Sequence, residues 1–177
     1  LTDLRQPDRS YATGKGHKRS GKRLLAVGTD CSVGKKYAAL CLERDMQAAG
    51  FDAEFRATGQ TGVLIAGRGV PLDAVVADFI PDAFVVCHEP TRTNMRGVAT
   101  PLPTIAAVIE ATIAMGRLTN PDIRCVGLCV NTAKLEEDAA RALLAELAEE
   151  HGLPATDPVR FGSAPVVDEI ARIYGRP

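Results

Sequence analysis

The sequence has no apolar run longer than a strand, which excludes a hydrophobic membrane-spanning helix. Its N-terminal stretch is polar and has no hydrophobic segment of the kind a secretory signal needs. It has almost no charge imbalance: 21 basic against 22 acidic side chains leave a formal net charge of −1. Composition therefore gives no argument for nucleic acid or a membrane surface as a partner. There is no internal repeat, no low-complexity tract and no CxxC pair. The five cysteines, Cys31, Cys41, Cys87, Cys125 and Cys129, are odd in number, and three lie in apolar strand-like runs. Reduced thiols and a cytoplasmic location are expected from that pattern, with Cys125 and Cys129 packed on one face of a strand. No metal site is expected.

The 177 residues, 46% hydrophobic and 24% charged, are enough for one good core and one domain. Residues 1–22 hold Pro7, Gly14, Gly16 and Gly21 among Lys15, His17, Lys18, Arg19 and Lys22, as in a flexible basic arm or interdomain linker. The domain proper is expected over 23–177. The chain opens at Leu1 rather than Met, as expected of a fragment.

From Arg23 onward, apolar strand patterns alternate with amphipathic helix patterns. Strands are expected at 24–27, 53–58, 83–87, 123–130 and about 157–161, with a short apolar run at 63–66. Helices are expected at about 34–49, 72–80, 104–115, 135–151 and 165–174. Alternation of this kind implies βαβ units, hence an α/β fold with a doubly wound, mostly parallel sheet in three αβα layers. In such sheets ligands sit beyond the C-terminal ends of the strands, and that rule sorts the polar residues into five clusters.

The first cluster, Gly28-Thr29-Asp30-Cys31-Ser32-Val33-Gly34-Lys35, joins a buried strand to a helix N-terminus. Loop amides, the positive end of the helix dipole and a lysine together make a phosphate cradle. Its spacing is one residue longer than G-x4-G-K, and Lys36 stands where Ser or Thr would hold magnesium. Asp30 would repel phosphate unless it faces a metal or a substrate amine. Cys31 lies among amides near Lys35, which favours its thiolate, although a small loop residue is the plainer reading. The second cluster offers Arg56, Gln60 and Thr61 to an anion or carboxylate, with Gly59 and Gly62 permitting close approach; it also reads as a hydrophilic loop. In the third, His88 is a candidate general base or a strand-capping structural histidine, with Glu89 beside it. Arg92 and Arg96, if locally helical, are spaced to clamp a dicarboxylate or a phosphate. The fourth is Asn131-Thr132 and the fifth Phe161-Gly162-Ser163-Ala164-Pro165, each at a strand end.

The phosphate loop resembles the extended loop of dethiobiotin synthetase and its relatives. More of the chain resembles the C-terminal P-loop domain of a bacterial family long classed as a domain of unknown function. The segments that carry this are Ala12-Thr13-Gly14-Lys15, the loop itself, Phe55-Arg56-Ala57-Thr58-Gly59-Gln60-Thr61-Gly62, Ala77-Asp78-Phe79-Ile80, Cys87-His88-Glu89-Pro90-Thr91-Arg92, Met95-Arg96-Gly97 and Asp157-Pro158-Val159-Arg160-Phe161-Gly162. At least one member of that family is a D-glutamate N-acetyltransferase that uses acetyl-CoA. The resemblance also implies an N-terminal Rossmann-like domain, and a stretch with an acidic Glu-Gly-Gln-Gly motif between Ile80 and Pro81. Neither is in this sequence, and disorder rather than deletion is the expected reason for the missing stretch.

The resemblance implies an acetyl-CoA-dependent N-acetyltransferase acting on a D-amino acid such as D-glutamate, with the loop holding a phosphate group of CoA. Gly28, Thr29, Cys31, Ser32, Val33, Gly34, Lys35 and Lys36 would bind the cofactor, with Asn131 and Thr132 at its base. Arg56, Gln60, Thr61, Arg92 and Arg96 would bind the substrate, and His88, Glu89 and Asp30 are the catalytic candidates. The expected partners are a small-molecule amino-acid substrate, the protein's own N-terminal domain and further copies of the protein in a homo-oligomer. Two other readings stand beside this one: a Mg·ATP-dependent kinase or ligase, and a non-enzymatic nucleotide-binding regulatory module. Lys36 disfavours the kinase, because acyl transfer needs no magnesium and an extra lysine suits the larger charge of CoA.

Overall fold

A computed structural model describes residues 21–57 and 81–176. Four parallel strands, β1 (Leu24–Gly28), β2 (Ala83–His88), β3 (Arg124–Val130) and β4 (Ala155–Thr156), lie side by side in sequence order. Four helices accompany them: α1 (Lys35–Ala48), α2 (Ile105–Gly116), α3 (Glu137–His151) and α4 (Ala164–Tyr174). The expected doubly wound α/β architecture is the one observed. Residues 58–80, which include the expected run at 63–66 and helix at 72–80, lie outside the described residues, as does the expected basic arm over 1–20.

Period-two alternation in β2 divides the core between the two faces of the sheet. Ala83, Val85 and Cys87 pack with Ala38 and Leu42 of α1 and with Val166, Val167 and Ile170 of α4. Phe84 and Val86 face the other way, onto Ile105 of α2 and Leu144 of α3. Because both faces are covered, β2 reads as an unbroken apolar run. No helix among the described residues is long and apolar enough to cross a membrane.

The helix ends follow local chemistry. The Thr104 hydroxyl accepts from the Ala107 amide, 3.1 Å away, and so caps α2. Glu137 and Asp138 sit at the positive end of α3 and His151 at its negative end. The chain turns out of α3 at Gly152, where φ is +62°.

Three expectations are corrected. No strand forms over 53–56; the Phe55 amide donates to the Glu43 carboxylate (2.7 Å) and Gln47 donates to the Ala53 carbonyl (2.8 Å), so side chains of α1 hold this segment, and only Ala57 makes a bridge. The last strand is Ala155–Thr156, not 157–161. Residues 158–161 form a turn, whose amides at Val159 and Arg160 donate to the Asp157 carboxylate at 3.0 and 3.2 Å. Finally, Cys125 and Cys129 do not share a face. Phe84 pairs with Cys125 and Val85 with Gly127, so Val126 is an extra residue that shifts the alternation. Cys125 therefore lies beside the α2–α3 core and Cys129 in the α1–α4 core. All five cysteines are free thiols. Burial pushes the Cys125 thiol up to about 11.

Candidate functional site

The C-terminal ends of β1, β2 and β3 bring together residues 28–36, 88–96 and 131–134. At the centre is the phosphate loop. Gly28 is required there: a Cβ would stand 2.7 Å from Val33 Cγ2 and 3.2 Å from Lys35 Cδ. Val33 is 1% exposed and plugs the core beneath the loop, so only its backbone can face a ligand. Ser32 takes a left-handed conformation (φ +54°) and Gly34 another (φ +106°), which turns the chain into α1. Among the described residues, the amides of Ser32, Val33 and Gly34 donate to no group of the chain. The first-turn amides of α1 also have no intrahelical acceptor. Lys35 Nζ donates to the Asp30 carbonyl at 2.7 Å, folding the lysine back along the loop, and Lys36 lies over the Tyr37 ring. Cys31 is exposed beside them.

Asp30 does not confront a phosphate with an unbalanced charge. Its carboxylate accepts from the Arg96 amide (2.7 Å) and from Arg92 Nη1 (2.8 Å). The Arg96 amide bond is the largest influence holding its pKa below the usual carboxylate range, and Arg92 adds to it. Arg92 Nη1 also donates to the Cys31 carbonyl at 2.9 Å, while Arg96 Nη1 donates to the Ser32 hydroxyl at 2.8 Å. The two arginines are not on a helical turn. Asn94 and Pro101 form an antiparallel bridge, and Gly97 turns the chain between them with φ +83°. The segment folds back over the loop, with Arg92 bound into the loop itself and Arg96 more open.

His88 ends β2 next to the loop, its Nδ1 3.1 Å from the Thr29 hydroxyl. The Thr29 amide donates to the Cys87 carbonyl at 3.1 Å, and the His88 carbonyl accepts from the Asn131 amide at 2.8 Å. Burial pushes the His88 pKa down, partly offset by Glu89, so the ring is neutral at pH 7. Glu89 is only 5% exposed. Burial alone would raise its pKa, but the hydroxyl and amide of Thr91 and the Lys134 ammonium at 3.3 Å outweigh burial and lower it. With those partners, and Arg92 Nε at 3.7 Å, Glu89 organises the strand end rather than facing a substrate.

Asn131 lies against the loop, its Cβ 3.9 Å from where a Cβ on Gly34 would stand. Its side-chain oxygen accepts from the Ala133 amide at 3.2 Å, starting a turn. Thr132 is fully buried, and its amide (2.8 Å) and hydroxyl (2.7 Å) both donate to Asp157, so it anchors the strand end instead of reaching a ligand. Arg160 bonds the carbonyls of Thr132 (2.8 Å) and Leu135 (2.9 Å), and the guanidiniums of Arg141 and Arg160 lie over the Phe161 ring. The Asp157–Arg160 arrangement has a sequence signal, the turn-forming pair Asp157-Pro158. Arg56 is exposed and ion-pairs with Glu54 at 2.8 Å. Gln60 and Thr61 lie outside the described residues.

The P-loop domain model of DUF1611, a domain of unknown function (DUF1611_C), matches residues 10–81 and 80–167. The chain belongs to the DUF1611 family. A curated protein from Pseudoalteromonas sp., named D-glutamate N-acetyltransferase, is 40% identical over 210 residues, covering 94% of this chain and 63% of the relative. Another of the same name, from Tritonibacter scottomollicae, is 41% identical over 216 residues, covering 98% of this chain and 65% of the relative. The crystal structure of a DUF1611 family protein from Anabaena variabilis superposes with a TM-score of 0.84 at 28% identity, covering 96% of this chain and 63% of that one. This chain thus spans just under two thirds of the length of the proteins it matches. An alignment of 210 residues that takes in 94% of a 177-residue chain also holds roughly forty gap positions in this chain. The family model divides at residues 80–81, where an additional stretch is expected.

Proposed function

We propose that this chain is the phosphate-loop domain of an acetyl-CoA-dependent N-acetyltransferase acting on a D-amino acid such as D-glutamate. The carrying observation is the loop: amides at Ser32–Gly34 without acceptors among the described residues, two lysines, and an internal carboxylate already neutralised by Arg92. Such a cradle fits a phosphate group of CoA without the hydroxyl that a P-loop uses to hold magnesium. The names of two relatives at 40–41% identity support N-acetyl transfer and D-glutamate as the reaction and substrate. When bound, acetyl-CoA supplies an activated acyl group.

Each residue of the chain has a distinct part. The loop amides and Lys35 would hold the phosphate, with Lys35 exchanging its bond to the Asp30 carbonyl for one to the anion. Arg92 fixes the loop. Arg96, held on its side chain by Ser32 alone among the described residues, has donors left for an anion, either a carboxylate of the substrate or a phosphate. His88 stands at the strand end beside the loop, where an amine and an acyl group would meet. Incubating the full-length protein with acetyl-CoA and D-glutamate should release free thiol only when both are present. Turnover of Mg·ATP with no such thiol release would replace this reading with a kinase or ligase, and binding of nucleotide without turnover would replace it with a regulatory module.

A further inference from the structure

We infer that Thr29 is a positioning residue that fixes His88 as the tautomer protonated on Nε2, so that His88 offers the site a hydrogen-bond donor instead of a base. The inference rests on which atoms have partners. Thr29 is 2% exposed, and its hydroxyl touches one polar group among the described residues, His88 Nδ1 at 3.1 Å. A neutral imidazole carries one proton, so two arrangements exist. If Nδ1–H donated to the hydroxyl oxygen, the buried hydroxyl hydrogen would have no acceptor among the described residues. If the hydroxyl donates to Nδ1, the hydrogen of the buried threonine is paired, and the donor left open is Nε2–H on the half-buried ring, which is not sealed from the site. The second arrangement puts the ring proton on Nε2.

The backbone holds the pair in place. Gly28 and Cys87 are register partners, the Thr29 amide donates to the Cys87 carbonyl, and the His88 carbonyl takes the Asn131 amide. Thr29 therefore cannot withdraw without disturbing the β1–β2 ladder. The neighbouring carboxylates do not compete for the ring, since Asp30 is bound by Arg92 and Arg96, and Glu89 by Thr91 and Lys134. Burial also keeps the ring neutral.

For chemistry this builds on the acetyltransferase reading. Once the substrate ammonium has given one proton to solvent, the acetyl group passes from thioester to amine: a C–N bond forms, a C–S bond breaks, and the second proton lost by the nitrogen ends on the thiolate sulfur. Nε2–H would be the group available to donate to the carbonyl oxygen as that atom gained negative charge, and the ring would keep its proton throughout. The donor role accounts for a neutral histidine beside an anion cradle that already carries Lys35, Lys36 and Arg96.

Long-range 1H–15N correlation spectra of the 15N-histidine-labelled protein at pH 7 test this without any ligand. There are three histidines, and His88→Gln identifies the signal. The expected spectrum shows His88 with a pyrrole-type Nε2 and a pyridine-type Nδ1. Thr29→Val should give a mixed or reversed pattern, and Thr29→Ser should restore the original. A pyrrole-type Nδ1 in the unmodified protein, or an unchanged tautomer in Thr29→Val, would overturn the inference. If Thr29→Val does not fold, the spectrum of the unmodified protein still decides. Since the tautomer is read without substrate, a failed thiol-release assay refutes the acetyltransferase reading and leaves the tautomer result standing.

Discussion

Asp45 on α1 is expected to be one of the larger single contributors to the stability of the phosphate-loop helix, and its effect should depend on pH. One carboxylate oxygen accepts from the Ser163 amide at 2.7 Å and from the Ser163 hydroxyl, tying α1 to the start of α4. The other accepts from Arg44 Nε at 2.7 Å. The bond from Arg44 is the largest influence on its pKa; burial opposes it and Ser163 reinforces it, and the result is a fall from 3.8 to about 2. Taken whole, a fall of that size corresponds to about 2.5 kcal/mol. The Asp45 side chain is 20% exposed but that of Arg44 is 62% exposed, so solvent screens the largest contribution and roughly 1–2 kcal/mol is the better figure. The folded-state pKa is depressed, so this stabilisation is complete above the unfolded value of 3.8 and is lost as pH falls through about 2. Urea denaturation of Asp45→Asn should show a loss of about 1–2 kcal/mol at pH 7 and a shallower decline between about pH 4 and pH 2. Equal midpoints at pH 7, or an unaltered pH slope, would refute the reasoning.

Three further outcomes follow from the site. Lys35→Ala should weaken binding of a phosphate-bearing ligand at least tenfold, about 1.4 kcal/mol, while shifting the thermal midpoint little, because among the described residues the ammonium bonds only the Asp30 carbonyl. Ligand titration and thermal melts read the two effects separately. Asp157→Ala should cost roughly 3–5 kcal/mol in chemical denaturation, since it leaves the donors of Thr132, Val159 and Arg160 without their acceptor. Arg92→Ala should make the loop at 30–34 more susceptible to limited proteolysis than Arg96→Ala does, because only Arg92 joins the Asp30 carboxylate to the Cys31 carbonyl. Equal cleavage of both variants would show that the loop holds itself.

Long apolar runs made β2 and β3 legible in the sequence, and the glycine-bounded loop between a strand and a helix marked the cradle. What was not legible depends on contacts between distant residues. The bulge at Val126 separates Cys125 from Cys129, and it arises where β3 meets β2, not in β3 alone. Residues 53–56 alternate like a strand, yet they are held by the Glu43 and Gln47 side chains of α1, a contact between segments that their own pattern does not show. Asp157-Pro158 announced a turn, but the apolar residues after it favoured a strand. The four-residue spacing of Arg92 and Arg96 suggested a shared helical face; they meet instead through Asp30, 62 and 66 residues away in sequence. Thr29, the one loop side chain that reaches His88, carried no signal beyond its place in the loop.

The central claim is that the loop is built for a phosphate of CoA without help from a metal. Calorimetry of the full-length protein tests it most directly, with acetyl-CoA titrated in the presence of EDTA and ATP titrated with magnesium. The account predicts acetyl-CoA binding that survives EDTA and is lost in Lys35→Ala. Tight Mg·ATP binding with no acetyl-CoA binding would contradict it.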